Sequence, residues 1–597
     1  MKQLVKATVL GLGPALVLLG TPLAASAATP AAPAATPAII SFKVSPSPVP
    51  AAGAKVTMAV RVRAARTCMF SITPKVAGFP VTRSCSSGHV TVTIRFPAND
   101  SISTKHFTVK LSAKASRTVS ATRKLAQPPV TLTGVRAVTG EDDSYCAVLT
   151  SGRVDCWGAG TLGQLGYGKG KNSTRPEPVT GVGGKGLLTG VTSVVAGAFG
   201  YGDSYCAVLH SGGVDCWGLD QDGQLGGGST VNSDKPVAVK GVGGTGLLTG
   251  VTELQAEVYG FCADLSDGGA ACWGLNSSGE LGNGSLSGPD TCGADSFSCS
   301  TTPVDVVGTS GTGTLGQIAR LVGEGSSMCA VLTSGRLDCW GDGSNGQLGN
   351  GSESGSAVPV QVQGIDGSGS LAGVTSLTGI NDNGSSLCAR LTSGKADCWG
   401  DDTWAELGNG SSPTVLNDSD TPVAVEGVGG KGTLSGVASV LGVPGLTNCA
   451  ILTSGGVDCW GYNGDSVTGD PSVGLTSNVP VKVAGPSGKG SLAGVASLVS
   501  GNNPETGGNL CALLTSGGVD CWGQASAGAS TTPVAVPGFG PKKPLVRVRS
   551  LVSDQDGSNC AVLVTGGVDC WGADASGQLG NGTHASGVGP EAVLGPA

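Results

Sequence analysis

Histidine, charge and aromatic rings are all scarce in this chain. Its 597 residues include four histidines, 13% charged residues and 4% aromatics. Each scarcity removes a class of function. His89, His106, His210 and His584 are the whole histidine complement, and two of them fall before residue 131. A Ser-His-Asp or Cys-His arrangement therefore has no supporting pattern. No HExxH, no P-loop and no strand-GxGxxG-helix context occurs, so no catalytic residue, no cofactor and no metal ligand is expected. Strings such as Gly181-Val182-Gly183-Gly184 lie between strand-like segments and read as turns. A net charge of −7 disfavours a nucleic-acid binder, which normally carries a basic balance. The low charged fraction also argues against charge-driven disorder. Beyond the first 20 residues no apolar run reaches the roughly 18 residues that a spanning helix needs, and the C-terminal EAVLGPA carries no anchor.

What is present begins with a leader. Met1-Lys2-Gln3 and Lys6 form a basic start, residues 7–20 are apolar, and Ala25-Ser26-Ala27 is a small-residue cleavage site. A signal peptide is expected over 1–27, with an uncleaved anchor as the alternative. Residues 28–38 (ATPAAPAATPA) read as a Pro/Ala linker. The 20 cysteines, an even number, fit an oxidising compartment. The expected location is secreted, extracellular or cell-wall associated. The Ala/Gly/Pro/Thr bias points to a GC-rich bacterial genome.

Residues 39–130 read as a small β-sandwich. IISFKVSPS, KVTMAVRVRA, CMFSITPK, HVTVTIRF and KHFTVKLSAK alternate apolar and polar residues between turn signals. Cys68 and Cys85 are the only cysteines here and are expected to pair. The pattern resembles a bacterial immunoglobulin-like module, without the Cys-Trp-Cys spacing, since no Trp precedes Trp157. The segment is basic: Lys75, Arg83, Arg95, Lys105, Lys110, Lys114, Arg117, Arg123 and Lys124. A solvated face is the expected meaning, and contact with a wall polymer is the alternative.

From about residue 131 to 597 one unit recurs eight times. Its marker is Cys-x9-Cys-Trp-Gly, with the cysteines at 146/156, 206/216, 262/272, 329/339, 388/398, 449/459, 511/521 and 560/570. Each unit reads as three or four short strands joined by Gly-rich turns, and no stretch reads as a helix of ten residues. Short strands with one Trp-Gly per unit, repeating every 49 to 67 residues, predict propeller blades. In CAVLTSGRVDC a turn centred on Ser151, with Gly152 free to take positive φ, folds Cys146 opposite Cys156. Directly opposed strand positions lie within disulfide reach, and a loop of this size contributes about 2–3 kcal/mol in the chain-entropy model. Each unit is thus expected to carry Cys146–Cys156, Cys206–Cys216, Cys262–Cys272, Cys329–Cys339, Cys388–Cys398, Cys449–Cys459, Cys511–Cys521 or Cys560–Cys570. Metal ligation by these cysteines is the disfavoured alternative. The eight repeated tryptophans are expected to pack between blades.

One family carries this combination. Cys146-Ala147-Val148-Leu149, Gly152-Arg153-Val154, Trp157-Gly158, Gly163-Gln164-Leu165-Gly166 and Pro178-Val179 together resemble the RCC1 (regulator of chromosome condensation) repeat. Gly346-Gln347-Leu348-Gly349-Asn350-Gly351 and Gly577-Gln578-Leu579-Gly580-Asn581-Gly582 repeat the loop motif. The sixth and seventh copies depart from it, reading GYNGDSVTGD and GQASAGAS. The resemblance implies an all-β propeller used as an interaction platform. It leaves seven blades open, while the marker count favours eight. Ring closure is expected to mix strands near 131–142 with the last unit. The founding family's nuclear role, nucleotide exchange on a small GTPase, conflicts with the leader and the acidic balance.

Several residues stand outside the shared pattern. Cys292 and Cys299 sit in an insertion of the third unit and are expected to pair, either as a projecting binding loop or as a tolerated insertion. Phe297, Trp404 and Tyr462 are the candidate partner-binding residues. Tyr259 and Phe199-Gly200-Tyr201 are further aromatics outside the core pattern. Asp220/Asp222 and Asp554/Asp556 resemble fragments of calcium loops but lack a full ligand set. An Asp precedes the second Cys in seven units, and such recurrence marks a structural role. The expected function is non-enzymatic, extracellular protein–protein recognition by a monomer. The alternatives are a cell-wall or polysaccharide-binding adhesin and, less favoured, a secreted hydrolase.

Overall fold

The computed structural model describes residues 35–99, 104–197, 204–293, 296–380, 386–412, 418–443, 446–503, 507–524, 530–538, 543–554 and 557–596. The leader, most of the linker, Phe199, Tyr201 and Asp556 lie outside the described residues. The chain divides into two compact units.

The first unit spans residues up to Ala98 together with Lys105–Gln127. Its strands are β1 (Ala38–Ser45), β2 (Ala54–Arg63), β3 (Thr67–Thr73), β4 (Val81–Ser84), β5 (His89–Phe96), β6 (Lys105–Lys114) and β7 (Thr118–Gln127). They form two antiparallel sheets, β1-β2-β5 and β4-β3-β6-β7. The period-2 patterns decide which side chains turn inward. Val56, Met58, Val60 and Val62 of β2 meet Phe70, Val109 and Leu111 of the other sheet in one core. Cys68 and Cys85 are bonded within it. β4 and β7 extend the five segments legible as strands. β7 hides its character because Arg123, an exposed charged residue, takes the position in line with the buried Leu125 and Gln127. Its Nε donates to the Phe42 carbonyl at 3.1 Å and its guanidinium lies 5.8 Å from the Phe42 ring centre. Pro128 and the described residues after it belong to the second unit.

The second unit is built of four-stranded antiparallel sheets in simple up-and-down order, resembling RCC1-type blades. In the first repeat the strands are Val135–Glu141, Ser144–Leu149, Val154–Gly158 and Ser173–Pro178. Eight such sheets occur among the described residues, one for each Cys-x9-Cys-Trp-Gly marker. The third gains a fifth strand, Asp290–Cys292, paired with Phe297–Asp305. The only helical pieces among the described residues are single 3-10 turns such as 182–184 and 365–367.

Register explains the cysteines. Cys146 stands directly across from Cys156, and the equivalent pairing recurs in every sheet. Their Cα atoms lie 4.0–4.1 Å apart, the close spacing of a non-hydrogen-bonded antiparallel pair. Gly152 takes φ 75° at the turn that sets this register. All twenty cysteines are bonded. Ten intramolecular disulfides are consistent with a secreted or extracellular protein.

Neighbouring sheets are joined at both ends of their strands. At one end the amide that opens a repeat's first strand donates to the glycine of the preceding repeat's turn: Val191 to Gly152, Val251 to Gly212, Val374 to Gly335, Val495 to Gly455. At the other end the repeated tryptophan donates its indole N–H to the carbonyl that follows the preceding repeat's third strand. Trp217 reaches Gln164 at 2.8 Å, Trp340 reaches Glu280 at 2.8 Å and Trp399 reaches Gln347 at 2.9 Å. Both links also join the last repeat to the first, through Val135 N to Gly566 O at 3.0 Å and Trp157 to Gln578 O at 2.9 Å. The sheets therefore close on themselves. Closure differs from the expected strand mixing. All four strands of the last sheet come from Val548–Ala592, and the N-terminal segment adds only a bridge between Thr131 and Leu594.

Candidate functional site

Because every repeat runs in the same direction, the connections sort onto two faces. The turns between second and third strands share one face with the connections that lead to the next repeat. These turns hold four residues in every copy, from 150–153 to 564–567. The opposite face carries the connections between first and second strands and between third and fourth strands. There the first kind varies from two residues (142–143) to seven (197–203), and the second from six (524–529) to twenty-one (276–296, which includes the extra strand Asp290–Cys292). We refer to these as the turn face and the loop face.

The loop between third and fourth strands has an internal logic. The Gln of Gly-Gln-Leu-Gly folds its side-chain carbonyl back onto the amide two residues earlier. Gln164 accepts from Leu162, Gln224 from Asp222 and Gln347 from Asn345. An Asp or Asn at the loop's start accepts from the amide of the Leu position: Asp220 from Leu225, Asn276 from Leu281 and Asp574 from Leu579. The final Gly is forced by space as well as by φ. A Cβ on Gly349, at φ 61°, would stand 2.8 Å from the Trp399 indole nitrogen. Asp220 is thus accounted for as a loop cap, and Asp222 enters the same turn through its backbone amide. Among the described residues no group of three or more His, Cys, Asp or Glu could hold a metal ion.

The sixth copy keeps this turn without its letters. Ser466, at φ 61°, stands where the first Gly would be, Asn463 accepts from the Thr468 amide, and the Val467 carbonyl accepts from Trp522 at 2.8 Å. Backbone geometry, not the Gly-Gln-Leu-Gly string, is what the neighbouring tryptophan reads.

Two candidate residues converge on the loop face. Trp404 precedes the fifth copy's turn, Ala405-Glu406-Leu407-Gly408, and Tyr462 ends the third strand of the sixth repeat. Their rings meet edge to face, with centroids 5.2 Å apart at 74°. Both are half-buried, so one side of the pair meets solvent. A Cβ on Gly464 would collide with the Tyr462 ring, so the absence of a side chain there seats the tyrosine. Phe297 stands apart from them. It is 48% exposed on the third repeat's extra hairpin, whose Gly293 amide donates to the Gln221 carbonyl of the second repeat. Cys292–Cys299 and a double hydrogen bond from Thr301 to Asp290 hold that hairpin. Tyr259 is half-buried in the connection at 258–259.

The surroundings of the aromatic pair are acidic. Asp401, Asp402 and Glu406 are buried, and Asp418 lies beside them, its Oδ1 accepting from the Asp402 amide. Burial pushes Glu406 up to about 8, so it carries a proton at neutral pH and stands in for the Gln of other copies. Its Oε2 accepts from the Trp404 amide at 2.7 Å, while Oε1 has no partner. Burial likewise raises Asp220 to about 7 and Asp574 to about 6. Sequence reasoning missed this carboxylate group. The Glu-for-Gln change at 406 and the paired Asp401-Asp402 were its only signals.

The Asp before the second Cys belongs to the scaffold. Asp155, Asp215, Asp338, Asp397, Asp458, Asp520 and Asp569 are all buried on the tryptophan side of their strands, and burial raises each of them. In the third repeat Ala271 takes this position. Asp264 on the neighbouring strand supplies the carboxylate, accepting from the Leu321 amide.

Comparison with known proteins agrees with the repeat. The family described as "Regulator of chromosome condensation (RCC1) repeat" matches residues 334–376. The mouse E3 ubiquitin-protein ligase HERC2 is 28% identical over 330 residues, covering 55% of this chain and 6% of HERC2. The Arabidopsis thaliana ultraviolet-B receptor UVR8 is 28% identical over 176 residues, 28% of this chain and 34% of the receptor. The chain thus matches only a minor part of these relatives. Among solved structures, human WBSCR16 aligns with 18% identity and a TM-score of 0.45, over 74% of this chain and 93% of that one. Yeast RCC1 (Prp20) bound to Kap60 aligns with 16% identity and a TM-score of 0.44, over 71% and 88%. The chain thus carries a segment that matches the RCC1 repeat and is similar over part of its length to proteins that contain such repeats.

Proposed function

We propose that this chain is a secreted, non-enzymatic binding protein, an eight-bladed propeller preceded by an immunoglobulin-like sandwich, which recognises a protein outside the cell through its loop face. One observation carries the reading. The turn face repeats one four-residue turn eight times, whereas the loop face holds all the variation in connection length, the disulfide-held hairpin and the Trp404–Tyr462 pair. A rigid scaffold that keeps one face constant and diversifies the other is the usual layout of a recognition surface. A half-buried aromatic pair rimmed by carboxylates is the kind of anchor that dominates binding energy at such surfaces.

The test uses the full-length, disulfide-intact chain as bait, with extracellular proteins and wall fragments of the same culture as prey. One stoichiometric protein partner is expected, lost by Trp404→Ala/Tyr462→Ala and kept by the turn-face variant Arg336→Ala/Lys395→Ala. Retention on wall glycan alone would transfer the role to an adhesin. Equal loss in both variants would remove the loop face from the assignment.

A further inference from the structure

Charge is segregated along this chain. Residues 39–127 hold fourteen Lys and Arg against a single acid, Asp100, and every other carboxylate lies beyond residue 140. The two ion pairs found among the described residues, Arg153–Asp155 and Lys235–Asp234, both belong to the repeat unit. The basic residues described in the first unit have no carboxylate partner.

The sheet β1-β2-β5 collects many of these charges on one side. Alternate residues of β2 turn away from the core, which exposes Lys55, Arg61 and Arg63. The register places Arg95 directly across from Lys55 and His89 across from Arg61, and Lys43 lies across from Ala59. Six basic side chains thus share one exposed face, separated by serine, threonine and alanine. The Arg61 Nε donates to the His89 Nε2 at 2.8 Å. Lys55 and Arg95 do repel. Like charges directly opposite on a sheet destabilise it, and among the described residues no carboxylate is paired with either. Stability alone would not keep such a pair. Lys55 and Arg63 lie eight positions apart along β2, about 27 Å of extended strand, so the face suits a long ligand. Three of the six are arginines, whose planar fork fits phosphate and carboxylate oxygens. No aromatic ring is offered for stacking on bases. Phe42, Phe70, Phe79, Phe96 and Phe107 are buried, and the unit has no Trp or Tyr.

We infer that the outer face of β1-β2-β5 binds an extended, non-nucleic polyanion: a linear polymer with repeating phosphodiester or uronate groups. The site goes beyond the loop-face reading and uses none of its residues. Binding is electrostatic and registers along the strand direction, so it discriminates charge spacing more than sugar identity.

The test uses the full disulfide-intact chain on immobilised poly(glycerol phosphate), polygalacturonate and uncharged dextran, with duplex DNA as competitor. Retention on one or both anionic polymers and not on dextran is expected. Preference between the two identifies which group is read. Affinity should fall about 100-fold between about 50 and 200 mM salt. Lys55→Thr/Arg61→Thr/Arg95→Thr should lose roughly tenfold or more while melting no lower than wild type, because a repulsive pair is removed. Lys110→Thr/Lys114→Thr/Lys124→Thr, on the other sheet, should lose much less. Should the first variant misfold, Lys55→Gln/Arg95→Gln replaces it with the same expectation. Binding to dextran, salt-insensitive binding, equal loss in both variant sets, or displacement by DNA at lower concentration than by either polymer would each overturn the assignment.

Discussion

A single atom decides much at the residue scale. The final Gly of each Gly-Gln-Leu-Gly turn sits against the next repeat's indole, so Gly349→Ala adds a Cβ 2.8 Å from Trp399 at a φ of 61°. We expect a loss of about 2 kcal/mol or more, from overpacking and backbone strain together, in urea unfolding. The fifth copy offers the opposite case. Ala405 holds φ 70° where five other copies have glycine, so Ala405→Gly should stabilise by about 0.5–1 kcal/mol. Failure of these two changes to move in opposite directions would refute the steric account. Glu406 adds a titratable site. Its pKa is pushed up to about 8, so ionisation destabilises the fold as pH rises from the ordinary glutamate range through about 8. Glu406→Gln should therefore gain stability relative to wild type at pH 9 and gain little at pH 5, read by thermal melts at both.

The disulfide hairpin is the unit of construction at the element scale. A ten-residue closure centred on a Gly-containing turn is local, so the spacing alone was enough to place Cys206 opposite Cys216. Replacing both with alanine should cost about 2–3 kcal/mol of chain entropy, plus a packing loss because both sulfurs are buried beside Trp273. Non-reducing digestion should recover each repeat's Cys linked to the one ten residues onward, and inter-repeat linkages would contradict the register. Elements whose signal was not local were harder to read. β7 sets Arg123 in line with its core-facing residues, where the exposed side chain reaches the Phe42 carbonyl and ring on a strand more than 70 residues away. The sixth loop looked aberrant because its motif letters were lost. Its turn survives through Ser466 and Asn463, which supply the same dihedral and the same acceptor.

The whole molecule gathers eight buried carboxylates, one per repeat, near the sheet interfaces. Asp215, Asp397, Asp458 and Asp569 are each lifted to about 6 by burial, and Asp264 also reaches about 6. A carboxyl whose folded value lies above its unfolded one binds more protons when folded. Its contribution to stability is therefore fully present below about pH 4 and is lost as pH rises through about 6. Summed over the ring, the melting temperature should fall by several degrees between pH 5 and pH 7. The variant carrying Asp215→Asn, Asp397→Asn, Asp458→Asn and Asp569→Asn should show a flatter profile. An unchanged slope would mean that these carboxyls are solvated and unshifted.

Sequence by itself determined what repeats and what is near in the chain. Eight copies of one spacing set the strand order within each sheet, the cysteine register and the place of each tryptophan, because those contacts close loops of about ten residues or recur too regularly for chance. Only the tertiary structure decided what brings distant residues together. It alone shows that Val135 meets Gly566, that Trp404 touches Tyr462, that Phe297 stands apart from both, and that six basic side chains from three strands share one face. Each of those depends on packing between segments whose separation along the chain carries no signal, and burial, not spacing, sets their chemistry.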